Sequence, residues 1–358
     1  MRPTHPPTPC LQRPLRAGLL AAALVGASLL APPPASAQDE LPIVKIFATG
    51  GTIANTPDGR IAVEAIIDAL PEVEDIAELR VEDITRTGSS SLSWQEFIDT
   101  AKAIERTFAE EPEVDAAMVT IGSNTSEDMA WFLNLVIDSE KPIVVTAAQR
   151  RRTTRSEDAS RNFIDALITA GTPEAAGKGA LLVANELIHP AREVTKNIVS
   201  RVETWQSLDT GALGMISNGE AIFYRSPTRR HTTDSEFSLD GIETADDLPT
   251  VEILYSYVDA SPALVEAALE DAGADGLVVA AFSTGSAHVG QRPQLEAAAE
   301  AGTPVVLSNR GSSGRIAGRG APYLNGDNLT PQKAHTLLMM ALTVTDDHGE
   351  IQRIFNEY

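Results

Sequence analysis

Pro42-Ile43-Val44-Lys45-Ile46-Phe47-Ala48-Thr49-Gly50-Gly51-Thr52-Ile53-Ala54 is the stretch on which the reading of the fold turns. Its first half is short, apolar and β-branched, the pattern of a central parallel strand with both faces covered. Gly50 and Gly51 then permit a sharp turn and a close approach of backbone to a ligand. Thr52 follows at once. In open α/β sheets ligands bind outside the carboxyl ends of the strands. A hydroxyl placed there, beside bare backbone N–H groups, is positioned as a nucleophile next to an anion pocket. An ordinary strand-ending glycine turn has the same sequence, and a short glycine motif alone does not separate the two.

Downstream, strands and helices alternate. Asn55-Thr56-Pro57-Asp58-Gly59 is a turn cluster, 61–70 and 72–79 read as short helices, and 80–84 as a strand. The strand ends in the hydroxyl-rich Thr87-Gly88-Ser89-Ser90-Ser91. Ser93-Trp94-Gln95-Glu96 has the form of a capping box for a helix over 94–109. A buried strand at 116–121 leads into Gly122-Ser123-Asn124-Thr125. Thr125 and Asp128 are expected to cap a helix over 126–138 with the apolar stripe Met129, Phe132, Leu133 and Val136. A strand at 142–148 completes a βαβ unit. Ser123 and Asn124 therefore sit at a strand's carboxyl end and a helix's amino end, a site for a carboxylate or an oxyanion, or simply a helix cap.

Arg150-Arg151-Arg152 and Arg155 leave the same sheet edge, as a solvated face or as partners of a substrate carboxylate. A helix at 159–170, a strand at 179–185 and a loop carrying Lys196 follow. A lysine buried beside a hydroxyl loses proton affinity and becomes a base; on a surface it does neither. Residues 226–249 are polar and acidic and read as an interdomain linker. The second half alternates again, with strands at 251–257, 276–282 and 304–308 and helices at 262–272, 291–301, 331–345 and 351–358. The expected fold is α/β, two domains, each a mainly parallel sheet flanked by helices. The expected divisions are 38–225, the linker 226–249, and 250–358.

The first 37 residues stand apart. Arg2, Arg13 and Arg16, an apolar run over 19–31 and Ala35-Ser36-Ala37 read as a secretory signal peptide. The run is too short for a membrane span. The single cysteine, Cys10, lies inside it, so the mature chain has no thiolate chemistry to draw on. The expected location is periplasmic or secreted, with no membrane attachment in the mature form. The 358 residues hold 28 basic and 50 acidic side chains, a net charge of −22, which argues against nucleic acid as a partner. His189, His231, His288, His335 and His348 show no ligand spacing, so no metal is expected. No G-x-G-x-x-G or G-x-x-x-x-G-K follows a strand, and no cofactor is expected. No G-x-S-x-G elbow is present.

With these residues placed, the chain resembles the bacterial type II L-asparaginase and glutaminase-asparaginase family over nearly all of its mature length. Ala48-Thr49-Gly50-Gly51-Thr52-Ile53-Ala54 is similar to the family's first signature, and Gly122-Ser123-Asn124-Thr125-Ser126-Glu127 sits where the second occurs. Val194-Thr195-Lys196, the stretch 227–231 and Leu329-Thr330-Pro331-Gln332-Lys333-Ala334 also match. The resemblance implies hydrolysis of the side-chain carboxamide of L-asparagine to L-aspartate and ammonia. Thr52 would be the nucleophile of an acyl-enzyme, with Ser123 and Lys196 replacing the family's threonine–lysine pair. Gly51, Ser89, Ser90, Asn124 and Ala148 would bind substrate. It also implies a homotetramer of close dimers, each site completed by a neighbour.

The departures are specific. The second signature normally reads Thr-Asp; here it is Ser123-Asn124, which loses the charge that pairs with the substrate α-ammonium. No tyrosine lies between Thr52 and Tyr224, so the family's loop tyrosine has no counterpart. Asp259 stands where the family has asparagine. The segment 311–319 is short and basic where the family carries an acidic residue. These losses point to a second reading, an amidase of the same fold on a small acid amide without a free α-ammonium, with Arg150 or Arg315 as its partner. Asp259 restoring the negative charge is the opposing possibility. A third reading is a non-catalytic periplasmic binding protein.

Overall fold

The computed structural model describes residues 40–51, 55–56, 59–60 and 62–358. The segment read as a signal peptide lies outside the described residues, as does Thr52. The chain runs β1 (Ile43–Ala48), β2 (Asn55–Thr56), β3 (Gly59–Arg60), α1 (Val63–Ile67), β4 (Glu78–Asp83), α2 (Trp94–Glu110), β5 (Ala116–Thr120), α3 (Ser126–Val136), β6 (Ile143–Thr146), α4 (Ala159–Ala170) and β7 (Ala180–Ala184). Five short strands follow: β8 (Leu187–Pro190), β9 (Thr195–Lys196), β10 (Trp205–Gln206), β11 (Gly214–Ser217) and β12 (Glu220–Phe223). The rest is β13 (Val251–Tyr255), α5 (Ala263–Glu270), β14 (Gly276–Ala281), α6 (Arg292–Glu300), β15 (Val305–Asn309), β16 (Leu324–Asn325), α7 (Pro331–Leu342) and α8 (His348–Glu357).

Two α/β sheets result. The larger has the order β12-β11-β8-β7-β6-β5-β1-β4, and the smaller is β13-β14-β15-β16. Pairing is parallel from β4 through β7 and throughout the smaller sheet; β8, β11 and β12 are antiparallel. The central strands are apolar because both faces are covered: β5, β6, β7 and β14 are buried at every position. Lys45 is the one charge inside β1. Its stem lies in the sheet while its ammonium reaches Glu82 at 3.0 Å and Glu111 at 2.7 Å.

Helices α2, α3 and α7 join the layers. Trp94, Phe97 and Phe132 pack with ring centroids 5.2–6.0 Å apart, and His335 stacks on Trp94. Trp131 is fully buried and donates Nε1–H to the Lys333 carbonyl at 3.0 Å. Such aromatic pairs add about 0.5–1.5 kcal/mol each beyond area burial. Segment 226–249 is packed, with Phe237, Leu239, Ile242 and Leu248 buried in this same core.

Most element readings hold within two or three residues, and the Ser93–Glu96 capping box forms, Ser93 N–H donating to Glu96 Oε2 at 2.8 Å. Three do not. The helix read over 72–79 is a 3-10 turn at Pro71–Asp75, because β4 starts at Glu78, paired with Ile43 of β1; partnership in the sheet overrides local propensity. Thr125 occupies the cap position of α3, but its Oγ1 caps nothing and has no partner among the described residues. The stretch after the strand at 179–185, read as a loop around Lys196, holds hairpins over 187–223. Asn185-Glu186 and Asn218-Gly219 turn them with positive φ at both residues, 53° and 61°, then 53° and 82°.

His189 on β8 is buried, its Nδ1 3.0 Å from Ser207 Oγ and its Nε2 without a partner among the described residues. Burial, and then the Lys333 charge, push its pKa down to about 4 from 6.5. The unfolded chain therefore binds a proton near pH 6.5 that the folded chain refuses until about pH 4. Stability from this group is full above 6.5 and is lost as pH falls toward 4, by about 3 kcal/mol in all. Replacing His189 by Gln should flatten the pH dependence of denaturant-melt stability over that window by a comparable amount. An unchanged slope would show that the imidazole titrates normally.

Candidate active site

The first five parallel strands have the spatial order β4-β1-β5-β6-β7, so the chain leaves β1 to one side, for β4, and returns to the other, for β5. The crevice between the carboxyl ends of β1 and β5 is the switch point where open α/β sheets bind ligands. Gly50 and Gly51 emerge there with φ of 85° and 89°, and Gly122 faces them from the end of β5. A Cβ on Gly51 would lie 2.1 Å from the Gly122 nitrogen, and one on Gly122 would lie 2.5 Å from Ser89 Oγ. Three loops therefore meet with no room for a side chain, which explains the glycines at 51 and 122 and brings Ser89 to the crevice.

Ser123 follows Gly122 and is buried, 7% exposed. Lys196 comes from β9, which pairs with β10 so that Lys196 faces Trp205. Trp205 Nε1–H donates to Ser126 Oγ at 3.0 Å, fastening the small ladder to the start of α3. The Lys196 backbone N–H donates to Glu127 Oε1 at 3.2 Å. Held at both ends, the side chain brings Nζ to 2.7 Å from Ser123 Oγ and 3.3 Å from Asn124 Oδ1. Burial pulls the Lys196 pKa below the ordinary lysine value, and the Glu127 charge pushes part of it back. A lysine so placed accepts a proton from a hydroxyl more readily at moderate pH than a solvated one, because less of it is already protonated.

The structure thus brings Ser123, Asn124 and Lys196 together, and Gly51 and Ser89 beside them. Ser90 is the exposed neighbour of Ser89, and Ala148 is fully buried just past β6 on the same sheet edge. Arg150 and Arg315, the two arginines read as partners of an altered substrate, contact other groups. Arg150 Nη1 donates to the Ser156 carbonyl at 3.0 Å. Arg315 pairs with Asp327, which also takes Arg229 at 2.9 Å and Arg192 at 3.4 Å. Arg315 also lines a cavity of about 640 Å³ with Arg319, Tyr323, Asn325, His348 and Gln352. Asp259 lies in the left-handed region, φ 59°, which aspartate and asparagine both tolerate, so a backbone reason covers that exchange.

Two residues escaped the sequence reading. Glu127 holds the Lys196 backbone, and Lys333 of α7 donates to the carbonyls of Ala191, Arg192 and Val194 at 2.5, 2.9 and 2.5 Å. Burial brings the Lys333 pKa down to about 8 against the pull of Glu127, Glu193 and Asp128. Both lie in quoted motifs; a carboxylate in the apolar α3 and a lysine in the apolar α7 were the available signals.

A hydroxyl held by a half-buried lysine at such a switch point is the equipment of an acyl-transfer hydrolase. Residues 43–229 match the family model described as Asparaginase, N-terminal, and residues 250–355 match the Glutaminase/Asparaginase C-terminal domain. The chain is 38% identical over 338 residues to the L-asparaginase 2 of Bacillus subtilis (strain 168), covering 90% of this chain and 88% of that one. To the L-asparaginase 2 of Escherichia coli (strain K12) it is 35% identical, covering 89% and 94%. Its fold superposes on the probable cytoplasmic L-asparaginase of Campylobacter jejuni with a TM-score of 0.84 at 35% identity, over 88% of this chain and 100% of that one. The chain belongs to the asparaginase family and is an amidohydrolase.

Proposed function

We propose that the protein is an exported enzyme that hydrolyses the side-chain carboxamide of L-asparagine to L-aspartate and ammonia through a threonine acyl-enzyme. The observation that carries this reading is the 2.7 Å contact between Lys196 Nζ and Ser123 Oγ at the β1/β5 crevice, beside Gly51. A carboxamide is a poor electrophile and a neutral hydroxyl a poor nucleophile, so proton removal and oxyanion donors are both needed. Thr52 Oγ attacks the amide carbon; its proton passes to Ser123, whose own proton moves to Lys196. Backbone N–H groups at Gly51 and Ser123 receive the oxyanion. The proton returns to the leaving nitrogen as ammonia departs, and water then cleaves the Thr52 ester to release the acid. Ser89 and Ser90 take the substrate α-carboxylate, with Asn124 and Ala148 lining the rest.

Domain divisions at 38–225 and 250–358, a homotetramer of close dimers, and export from a leader over residues 1–37 belong to the same proposal. Among the described residues no helix is long and apolar enough to cross a membrane.

One observation favours a second reading. Asn124 turns Oδ1 toward Lys196 Nζ, a donor, so its amide N–H groups are the half left for a ligand. Donors suit an acyl oxygen, hydroxyl or carboxylate where L-asparagine carries an ammonium. Ammonia release from L-asparagine, succinamate and N-acetyl-asparagine separates the two. A strong preference for L-asparagine, read as kcat/KM, ends the altered-substrate reading. No release from any small amide would sink both and leave a binding protein.

A further inference from the structure

Glu127 is the least comfortable group near the crevice. It sits in the first turn of α3 and is only 6% exposed. Oε1 accepts the Lys196 backbone N–H at 3.2 Å, while Oε2 is buried with no hydrogen-bond partner among the described residues. A buried carboxylate half without partners is costly, and glutamine would make the same backbone bond without the charge. Retention of the charge therefore needs a reason beyond holding β9. The field of Glu127 acts on two cations, the half-buried Lys196 and the fully buried Lys333.

We propose that Glu127 is the positioning residue of the Ser123–Lys196 pair: its carboxylate anchors the Lys196 backbone and serves as counter-charge for the ammonium formed when Lys196 takes the Ser123 proton. The step balances within the chain. The Ser123 Oγ–H bond breaks, the Lys196 Nζ lone pair takes the proton, and the new positive charge appears on a half-buried lysine within the field of Glu127. Among the described residues, Glu127 of α3 acts on both lysines, while Asp128 of α3 and Arg192 and Glu193 of the turn before β9 act on Lys333 of α7. Of these, Glu127 is the one whose charge acts on Lys196. Asp128 is held toward its protonated form by burial and by Glu127 itself, and Lys333 is spent on three carbonyls. This inference rests on Ser123–Lys196 being the proton-transfer pair.

The test compares the wild type, Glu127→Gln and Glu127→Asp in the full chain by two readouts, with Lys196→Met as a control for the first. One is the pH profile of kcat/KM for ammonia release. The other is the pH dependence of acetic anhydride labelling of Lys196, read by mass spectrometry, which needs no turnover. Glu127→Gln should move both the acid limb and the labelling midpoint down by about one pH unit. The alkaline plateau should fall several-fold, because a weaker base pulls less on the proton. Glu127→Asp keeps the charge and should leave the labelling midpoint near that of the wild type. A folded Glu127→Gln with an unshifted midpoint overturns the proposal, as does a full-unit shift in Glu127→Asp. If Lys196→Met keeps full activity, the pair's catalytic role falls instead, while the labelling midpoints still decide whether Glu127 sets the lysine.

Discussion

Ammonia release should vanish in Thr52→Ala, and kcat should fall by about 10²–10⁴-fold in Lys196→Met, the usual worth of a positioned acid–base group. The lysine prediction follows from its fastening. Its backbone is held by Glu127 and by pairing with Trp205, so the 2.7 Å contact with Ser123 is built in by two elements rather than found by a free side chain. Methionine keeps the length and apolar stem but supplies no lone pair, so packing changes little and proton transfer is lost. KM should move far less than kcat, since the missing interaction matters most as the proton leaves. Ser123→Ala should cost about as much, and the double variant scarcely more than either single, because the two act as a unit. Independent, multiplying losses would show that the serine and lysine work separately. Steady-state ammonia assays on the three variants decide this.

Lys333→Met should lower stability by about 3–5 kcal/mol and the melting temperature by on the order of 10 °C. The ammonium is buried, and it satisfies three carbonyls of the turn that delivers β9. Methionine leaves those acceptors without a donor and removes the cation facing Glu127, Glu193 and Asp128. Orphaned buried acceptors cost far more than a surface substitution. The same turn sets where Lys196 stands, so kcat should fall as well, even where the variant remains folded. Calorimetry and turnover on one preparation test both. A melting temperature unchanged within a degree or two would mean that water replaces the ammonium.

Much of the fold was legible in local pattern. The β-branched run at 43–47, the capping box at 93–96 and the apolar stripe of α3 each carry a pattern that only one element satisfies. The hairpin at Asn218-Gly219 was equally legible, since asparagine–glycine is a strong turn signal, and it was passed over. The extent of β4 was not, because Glu78 becomes strand only through pairing with Ile43, 35 positions earlier. The site divided in the same way. Gly51, Ser89, Ser123 and Lys196 were nameable one by one, but each had a bland alternative as turn, loop, cap or surface residue.

The sequence by itself determined the element types, the order of strand and helix, and the chemical groups available, because propensity, period and side-chain chemistry are local. Only the tertiary structure decided that the serine at 123 and the lysine at 196, 73 residues apart, share a 2.7 Å contact, that Glu127 and Lys333 fasten the strand between them, and that Arg315 is occupied by Asp327. Burial and distance are properties of the packed chain, and they set whether a lysine holds its proton or gives it up.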